Sequence, residues 1–118
     1  MRKNQTPFRV LLVVCTTILS LATSAQGTLL LRQPSVSKQH IVFVHGDDLW
    51  VVAREGGDAR RLTTAVGAEN NPRISADGKW VAFTGQYDGN TDVYLVSIDG
   101  GAPKRLTWHP SADLVQGW

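Results

Sequence analysis

The chain has 118 residues, 42% of them hydrophobic and 19% charged, with 12 basic and 10 acidic side chains. Three of the basic residues, Arg2, Lys3 and Arg9, sit in the N-terminal stretch, which leaves 9 against 10 in the remainder; charge alone gives no case for a nucleic-acid or anionic-membrane partner. Cys15 is the only cysteine, so the chain after it forms no disulfide and no thiolate metal site, and its stability has to come from packing and hydrogen bonding.

Arg2, Lys3 and Arg9 form a positive n-region, residues 10–22 are mostly apolar, and Ala22-Thr23-Ser24-Ala25-Gln26-Gly27 offers the small residues that a signal peptidase needs. This predicts a secretory signal peptide over residues 1–25, cleaved after Ala25, and an exported protein that is periplasmic or secreted. The apolar run is shorter than the roughly 20 residues that span a bilayer, and Thr16, Thr17 and Ser20 interrupt it. An uncleaved leader is therefore the one route to a membrane. Val14 precedes Cys15 where lipid attachment wants a small residue.

Beyond the leader, two segments align with each other at a period of about 40 residues. Asp48-Leu49-Trp50-Val51-Val52 matches Asp92-Val93-Tyr94-Leu95-Val96, Glu55-Gly56-Gly57 matches Asp99-Gly100-Gly101, and Arg61-Leu62-Thr63 matches Arg105-Leu106-Thr107. Upstream, Ile41-Val42-Phe43-Val44 falls on Val81-Ala82-Phe83-Thr84, and Pro34-Ser35-Val36-Ser37 on Pro72-Arg73-Ile74-Ser75. Each unit reads as four short strands; in the second these are 73–75, 80–84, 92–97 and 104–107. Asp77-Gly78 and Asp99-Gly100-Gly101 supply the positive φ angles of tight turns. The matching early turn of the first unit, Lys38-Gln39-His40, is shorter and lacks Asp-Gly, so an irregular hairpin is expected there.

Both alternating faces of Leu49-Trp50-Val51-Val52 and Val93-Tyr94-Leu95-Val96 are apolar. Successive strand residues point to opposite sides, so such a sheet needs neighbours on both. Radially stacked four-stranded blades meet that need at this period. The expected architecture is all-β, an incomplete β-propeller ring of two four-stranded antiparallel blades plus the start of a third: blade one about 30–64, blade two about 70–107, and the opening of blade three at 112–118, within a partial propeller spanning 26–118. Propellers close with roughly four to eight blades, so the chain is expected to be a fragment. Each large apolar side chain left on an uncovered face forgoes roughly 1.5–3 kcal/mol. Further blades or self-association are accordingly expected.

Pro72-Arg73-Ile74-Ser75-Ala76-Asp77-Gly78-Lys79-Trp80-Val81-Ala82-Phe83, with the outer-strand segments ending in Arg61-Leu62-Thr63 and Arg105-Leu106-Thr107, resembles the propeller repeat of TolB and of tricorn-type proteases. The leader runs almost directly into blade one through Leu29-Leu30-Leu31-Arg32-Gln33-Pro34, and the run from Ile41 to Trp50 resembles the start of tricorn homologues. That resemblance implies the N-terminal propeller of an exported serine peptidase, sorting or channelling peptide or protein substrates toward a catalytic core elsewhere. No catalytic residue, cofactor or metal site is assigned to this chain. The alternatives are a TolB-like envelope scaffold for protein partners and the propeller of an α/β-hydrolase oligopeptidase, the last of which would need a Gly-x-Ser-x-Gly elbow downstream.

Several residues invite sharper readings. His45 with Asp47 and Asp48 is read as a polar turn, since one histidine beside adjacent carboxylates lacks convergent metal-ligand spacing. His40 and His109 have no nucleophile at recognisable spacing; Ser75 and Ser97 lie in strand pattern; Asp77 is a turn residue. Arg60-Arg61 and Lys104-Arg105 are read as edge charges that discourage sheet-to-sheet pairing, and Trp50, Trp80, Tyr94 and Trp108 as blade packing. Residues 85–91 carry four more residues than the His45-Gly46-Asp47 connection. An enlarged loop on a rigid scaffold is a place for binding groups, so Tyr87 and Asn90 are the candidate exposed rim residues.

Overall fold

The computed structural model describes residues 31–118; the leader expected over residues 1–25 lies outside them. Eight strands follow in order: β1 Arg32–Val36, β2 His40–His45, β3 Asp48–Ala53, β4 Arg60–Arg61, β5 Glu69–Ile74, β6 Trp80–Tyr87, β7 Asn90–Ser97 and β8 Lys104–Arg105. They form two four-stranded sheets, β1-β2-β3-β4 and β5-β6-β7-β8, every pairing antiparallel between chain neighbours. No ring closes among the described residues. The two-blade expectation holds at the level of sheets and order, with β5 beginning at Glu69 rather than Arg73.

Turn chemistry sets the register. Gly46 and Asp47 (φ 57° and 66°) close β2–β3, and Asp88 and Gly89 (φ 51° and 77°) close β6–β7; two consecutive positive φ angles make the two-residue turn whose twist matches that of paired strands. The short β1–β2 turn and the longer β5–β6 turn share a serine. Ser37 Oγ accepts from His40 N at 2.9 Å, and Ser75 Oγ accepts from Trp80 N at 3.0 Å, so one hydroxyl ties off each hairpin despite the different lengths. Ser75 is thus a turn-closing residue rather than a strand residue.

With that register, side chains sort onto two faces. In the first sheet Val42 lies opposite Val51 and Val44 opposite Leu49; in the second, Val81 lies opposite Val96 and Phe83 opposite Tyr94. These eight, with Leu62 and Ile98, are all 7% exposed or less and form one core between the sheets. Fully burying each large one contributes roughly 1.5–3 kcal/mol, which makes this shared face the main source of cohesion. The opposite faces fare differently. Ile41, Phe43, Trp50 and Val52 on the first sheet, and Val93 and Leu95 on the second, are only partly buried. Ala82 and Thr84 on the far side of the second sheet are buried, Thr84 Oγ1 accepting from Val115 N at 3.1 Å, so among the described residues the two-sided apolar pattern is covered fully on the shared side and in part beyond it.

The outer strands β4 and β8 are edges of their sheets, with Arg60, Arg61 and Lys104 exposed. Arg61 and Arg105 also bridge back to the third strand of their own sheets, Arg61 to Asp48 and Arg105 to Asp92, both at 2.6 Å. Arg60 donates from the first sheet to the Ile98 carbonyl of the second. The strands are two residues long, and brevity is itself a way of blunting an edge.

Candidate functional site

Glu69, the first residue of β5, stands at the seam where the sheets meet and is 0% exposed. Its backbone N–H donates to the Asp47 carbonyl at 2.9 Å, which hooks the second sheet onto the β2–β3 turn of the first. Its carboxylate then collects three donors. Oε2 accepts from the Leu49 N–H at 3.1 Å and from the Thr63 hydroxyl, while Oε1 accepts from the Tyr87 hydroxyl. The Leu49 N–H also lies 3.0 Å from Thr63 Oγ1. Two donors come from the first sheet and one from the second, so one carboxylate joins both.

Burial pushes the Glu69 carboxyl above its ordinary value, and the bonds from Thr63, Tyr87 and Leu49 pull against that rise, with nearby Asp48 adding to it. Tyr87 is raised first by desolvation and then by its bond to Glu69. Both carboxylate oxygens are engaged by the fold's own donors, and no solvent reaches the group. It acts as a clasp between sheets rather than as an acid or base for a substrate.

The structure places Tyr87 and Asn90 differently from the exposed loop expected of them. The four additional residues lengthen β6 and β7 by two each, and Tyr87 pairs with Asn90 directly across the Asp88-Gly89 turn. Both are partly buried. Strand alternation puts Tyr87 on the same face as Phe83 and Tyr94, where its ring meets Tyr94 edge-on at 4.6 Å. Asn90 Nδ2 donates to Asp92 Oδ2 at 2.9 Å and to the His109 carbonyl at 3.3 Å, tying the hairpin end to the segment after β8.

Gly85 makes room for the aromatic pair. A Cβ at this position would lie 2.9 Å from Tyr94 Cδ2, closer than real contacts allow, and 3.0 Å from Tyr87 Cε2, a contact that would force that ring to shift. Gly85→Ala is expected to displace Tyr87 from Glu69 and to cost about 1–3 kcal/mol, measured by urea unfolding. An unchanged midpoint would mean that the rings give way freely.

The remaining candidates disperse. Asp48 is engaged by Arg61, Asp47 by Arg32 at 3.3 Å, and the His45 ring packs edge-on against Trp50 at 5.9 Å. Among the described residues no group of three His, Cys, Asp or Glu side chains is placed to hold a metal. Tyr94 is buried, whereas Trp80 (44% exposed) and Trp108 (68%) lie at the surface, where Arg105 sits over the Trp108 ring at 5.8 Å. Asp77 is a turn residue, its Oδ1 accepting from Ser75 Oγ at 2.6 Å and Lys79 N at 3.0 Å. The Ser75 bond, then the Lys79 amide, hold its carboxyl below the ordinary value. A lowered folded-state value means that Asp77's contribution is present above the unfolded pKa and is lost as pH falls through the folded one. Asp77→Asn is expected to flatten stability against pH below about 4, read by thermal melts in acid; retention of the wild-type acid limb would rule that role out.

Glu69 escapes sequence inspection because an acidic residue before Asn70-Asn71-Pro72 looks like loop. The repeat carries the missing signal: Asp113 stands at the corresponding place before the next innermost strand, and its N–H donates to the Thr91 carbonyl at 2.9 Å as that of Glu69 does to Asp47.

The profile of the family described as the tricorn protease N-terminal beta propeller domain matches residues 28–118. Tricorn protease homolog 1 of Streptomyces coelicolor is 38% identical over 89 residues, covering 75% of this chain and 8% of that protein. The tricorn protease of Thermoplasma acidophilum is 32% identical over 82 residues, again 8% of its length. The crystal structure of the tricorn protease superposes with a TM-score of 0.59 at 31% identity, covering 66% of this chain and 8% of that one. A putative TolB from Agrobacterium tumefaciens gives 0.58 at 24% identity, over 66% of this chain and 30% of that one, a likeness of fold alone. The chain thus spans a small fraction of the relatives it matches, and over nearly all of its described length it belongs to the tricorn protease N-terminal β-propeller family.

Proposed function

We propose that the chain forms the opening blades of a propeller that sorts or channels peptides toward the catalytic core of an exported tricorn-like serine peptidase, and that it is non-catalytic by itself. The observation that carries this reading is the family match over residues 28–118, joined to a seam whose polar groups are spent on holding sheets together. A rigid stack of blades suits the walls of a passage rather than a reaction centre. The substrate class is an unfolded peptide or protein segment.

The test is the reading frame beyond codon 118 in the source DNA, followed by assays of its product. Further blades, then a PDZ-like module and a tail-specific-protease core, are expected. The complete product should cleave fluorogenic peptides and the 118-residue chain should not. Further blades followed by a stop would favour the TolB-like scaffold, and a downstream Gly-x-Ser-x-Gly with Asp and His the oligopeptidase.

Export is proposed on Arg2, Lys3, Arg9 and the apolar run of residues 10–22. N-terminal sequencing of chain recovered from the periplasm or medium should start at Gln26; chain retained in the cytoplasm with Met1 or Arg2 at its start would contradict it.

A further inference from the structure

The two sheets converge at β1 and β5, which lie side by side, and splay apart toward β4 and β8, which do not touch. The first strands therefore form the inner edge, the one that lines the central channel of a propeller. A strand edge with free N–H and C=O groups is a template for an added strand. In an antiparallel ladder the N–H groups face the neighbour and the open side in alternation. Those that β5 turns to its open side belong to Glu69, Asn71 and Ile74.

All three are taken by the first sheet. Glu69 N donates to the Asp47 carbonyl at 2.9 Å, Asn71 N to Gln33 Oε1 at 2.8 Å and Ile74 N to Ser35 Oγ at 3.0 Å. Pro72, between them, has no N–H to give. Gln33 and Asn71 have φ angles of 51° and 52°, each just before a proline, and the pairing with the second strand slips there in both sheets. A bulge re-aims a side chain, and here it turns Gln33 from β1 onto β5. Gln33 is exposed and Ser35 half-buried, so a ligand can reach this edge. An arriving strand would find carbonyls there but no free donors.

We infer that Gln33 and Ser35 keep β5 shut against strand addition by an extended peptide. A peptide moving along this edge meets side chains and is not held by its backbone, so it can pass rather than lodge. Both caps and the strand they cap lie between the two described sheets, so the arrangement is independent of what precedes or follows them. The choice of a peptide as the ligand rests on the passage reading given above.

The test is hydrogen exchange at single amides of the full 118-residue chain, for the wild type and for Gln33→Ala combined with Ser35→Ala. Each is measured with and without a short acetylated and amidated peptide of alternating valine and threonine. Without peptide, the variant should exchange Asn71 and Ile74 about tenfold faster or more, while Leu49 keeps its rate. Adding peptide should restore protection of both amides in the variant and leave them unchanged in the wild type. Two main-chain hydrogen bonds gained should tighten peptide binding by about tenfold. If circular dichroism shows that the double variant has lost its β structure, Ser35→Ala alone replaces it, and the same pattern is expected at Ile74 only. Peptide that slows Asn71 or Ile74 in the wild type would overturn the inference, since the edge would be open despite its caps. So would a variant that exchanges both amides at the wild-type rate, or one that binds peptide no more tightly. Cleavage of fluorogenic peptides by the complete product decides the passage, whereas exchange at Asn71 and Ile74 decides the caps, and the two can fail separately.

Discussion

Phe83→Ala is expected to abolish cooperative folding of the chain. Phe83 is fully buried, stacks on Tyr94 at 5.7 Å with 24° between the rings, and sits in the core that the two sheets share. Truncating such a residue removes about 3–5 kcal/mol, because a cavity is left in addition to the lost transfer energy. Domain stability is only about 5–15 kcal/mol, and among the described residues one cluster of ten buried apolar side chains supplies the core. Trp108→Ala, at a 68% exposed side chain, should stay within about 0.5 kcal/mol. Urea titration followed by tryptophan fluorescence separates the two. A cooperative Phe83→Ala transition within about 1 kcal/mol of wild type would show that cohesion lies elsewhere.

The second large effect is at Glu69. Glu69→Leu keeps the bulk but removes the acceptor for the Thr63 and Tyr87 hydroxyls and one acceptor for the Leu49 N–H. Buried donors left without partners cost about 1–3 kcal/mol each; since Leu49 retains Thr63 Oγ1, the two hydroxyls together should cost roughly 2–6 kcal/mol. Glu69→Gln preserves shape and one acceptor and should cost about 1 kcal/mol. The two also differ with pH. The folded-state pKa of Glu69 is raised above 4.5, chiefly by desolvation, so the fold favours the protonated form. Its contribution is whole below the unfolded value and is lost as pH rises through the folded one. The wild type should therefore lose stability across that interval and Glu69→Gln should not. Parallel pH profiles for the two proteins would remove Glu69 as the titrating group.

What the sequence made legible was whatever repeats or lies close along the chain. The alternation in Val42-Phe43-Val44 and Leu49-Trp50-Val51 and the Asp-Gly turns were enough for two four-stranded blades, because a period of two and a positive φ angle are local facts. The strand extension was readable in principle: Asp88-Gly89 is a two-residue hairpin signal, and taking residues 85–91 as one loop passed over it. The clasp was not legible in the same way. Glu69 lies 20 residues from Leu49 and 18 from Tyr87, and no local pattern says that three donors will converge on it. The edge position of Arg61 and Arg105 was legible from the strand pattern, whereas their partners Asp48 and Asp92 become visible only once register is fixed.

The two sheets hold together as one unit through a shared apolar face and the Glu69 clasp. Hydrogen exchange at individual backbone amides reads that cohesion strand by strand. In the wild type, the amides of β2 and β3 should share the slowest exchange with those of β6 and β7, Leu49 among them. Glu69→Leu should speed both sheets by the same factor. If β6 and β7 kept their protection while β2 and β3 exchanged like an unfolded chain, the sheets would be independent units and Glu69 no clasp between them.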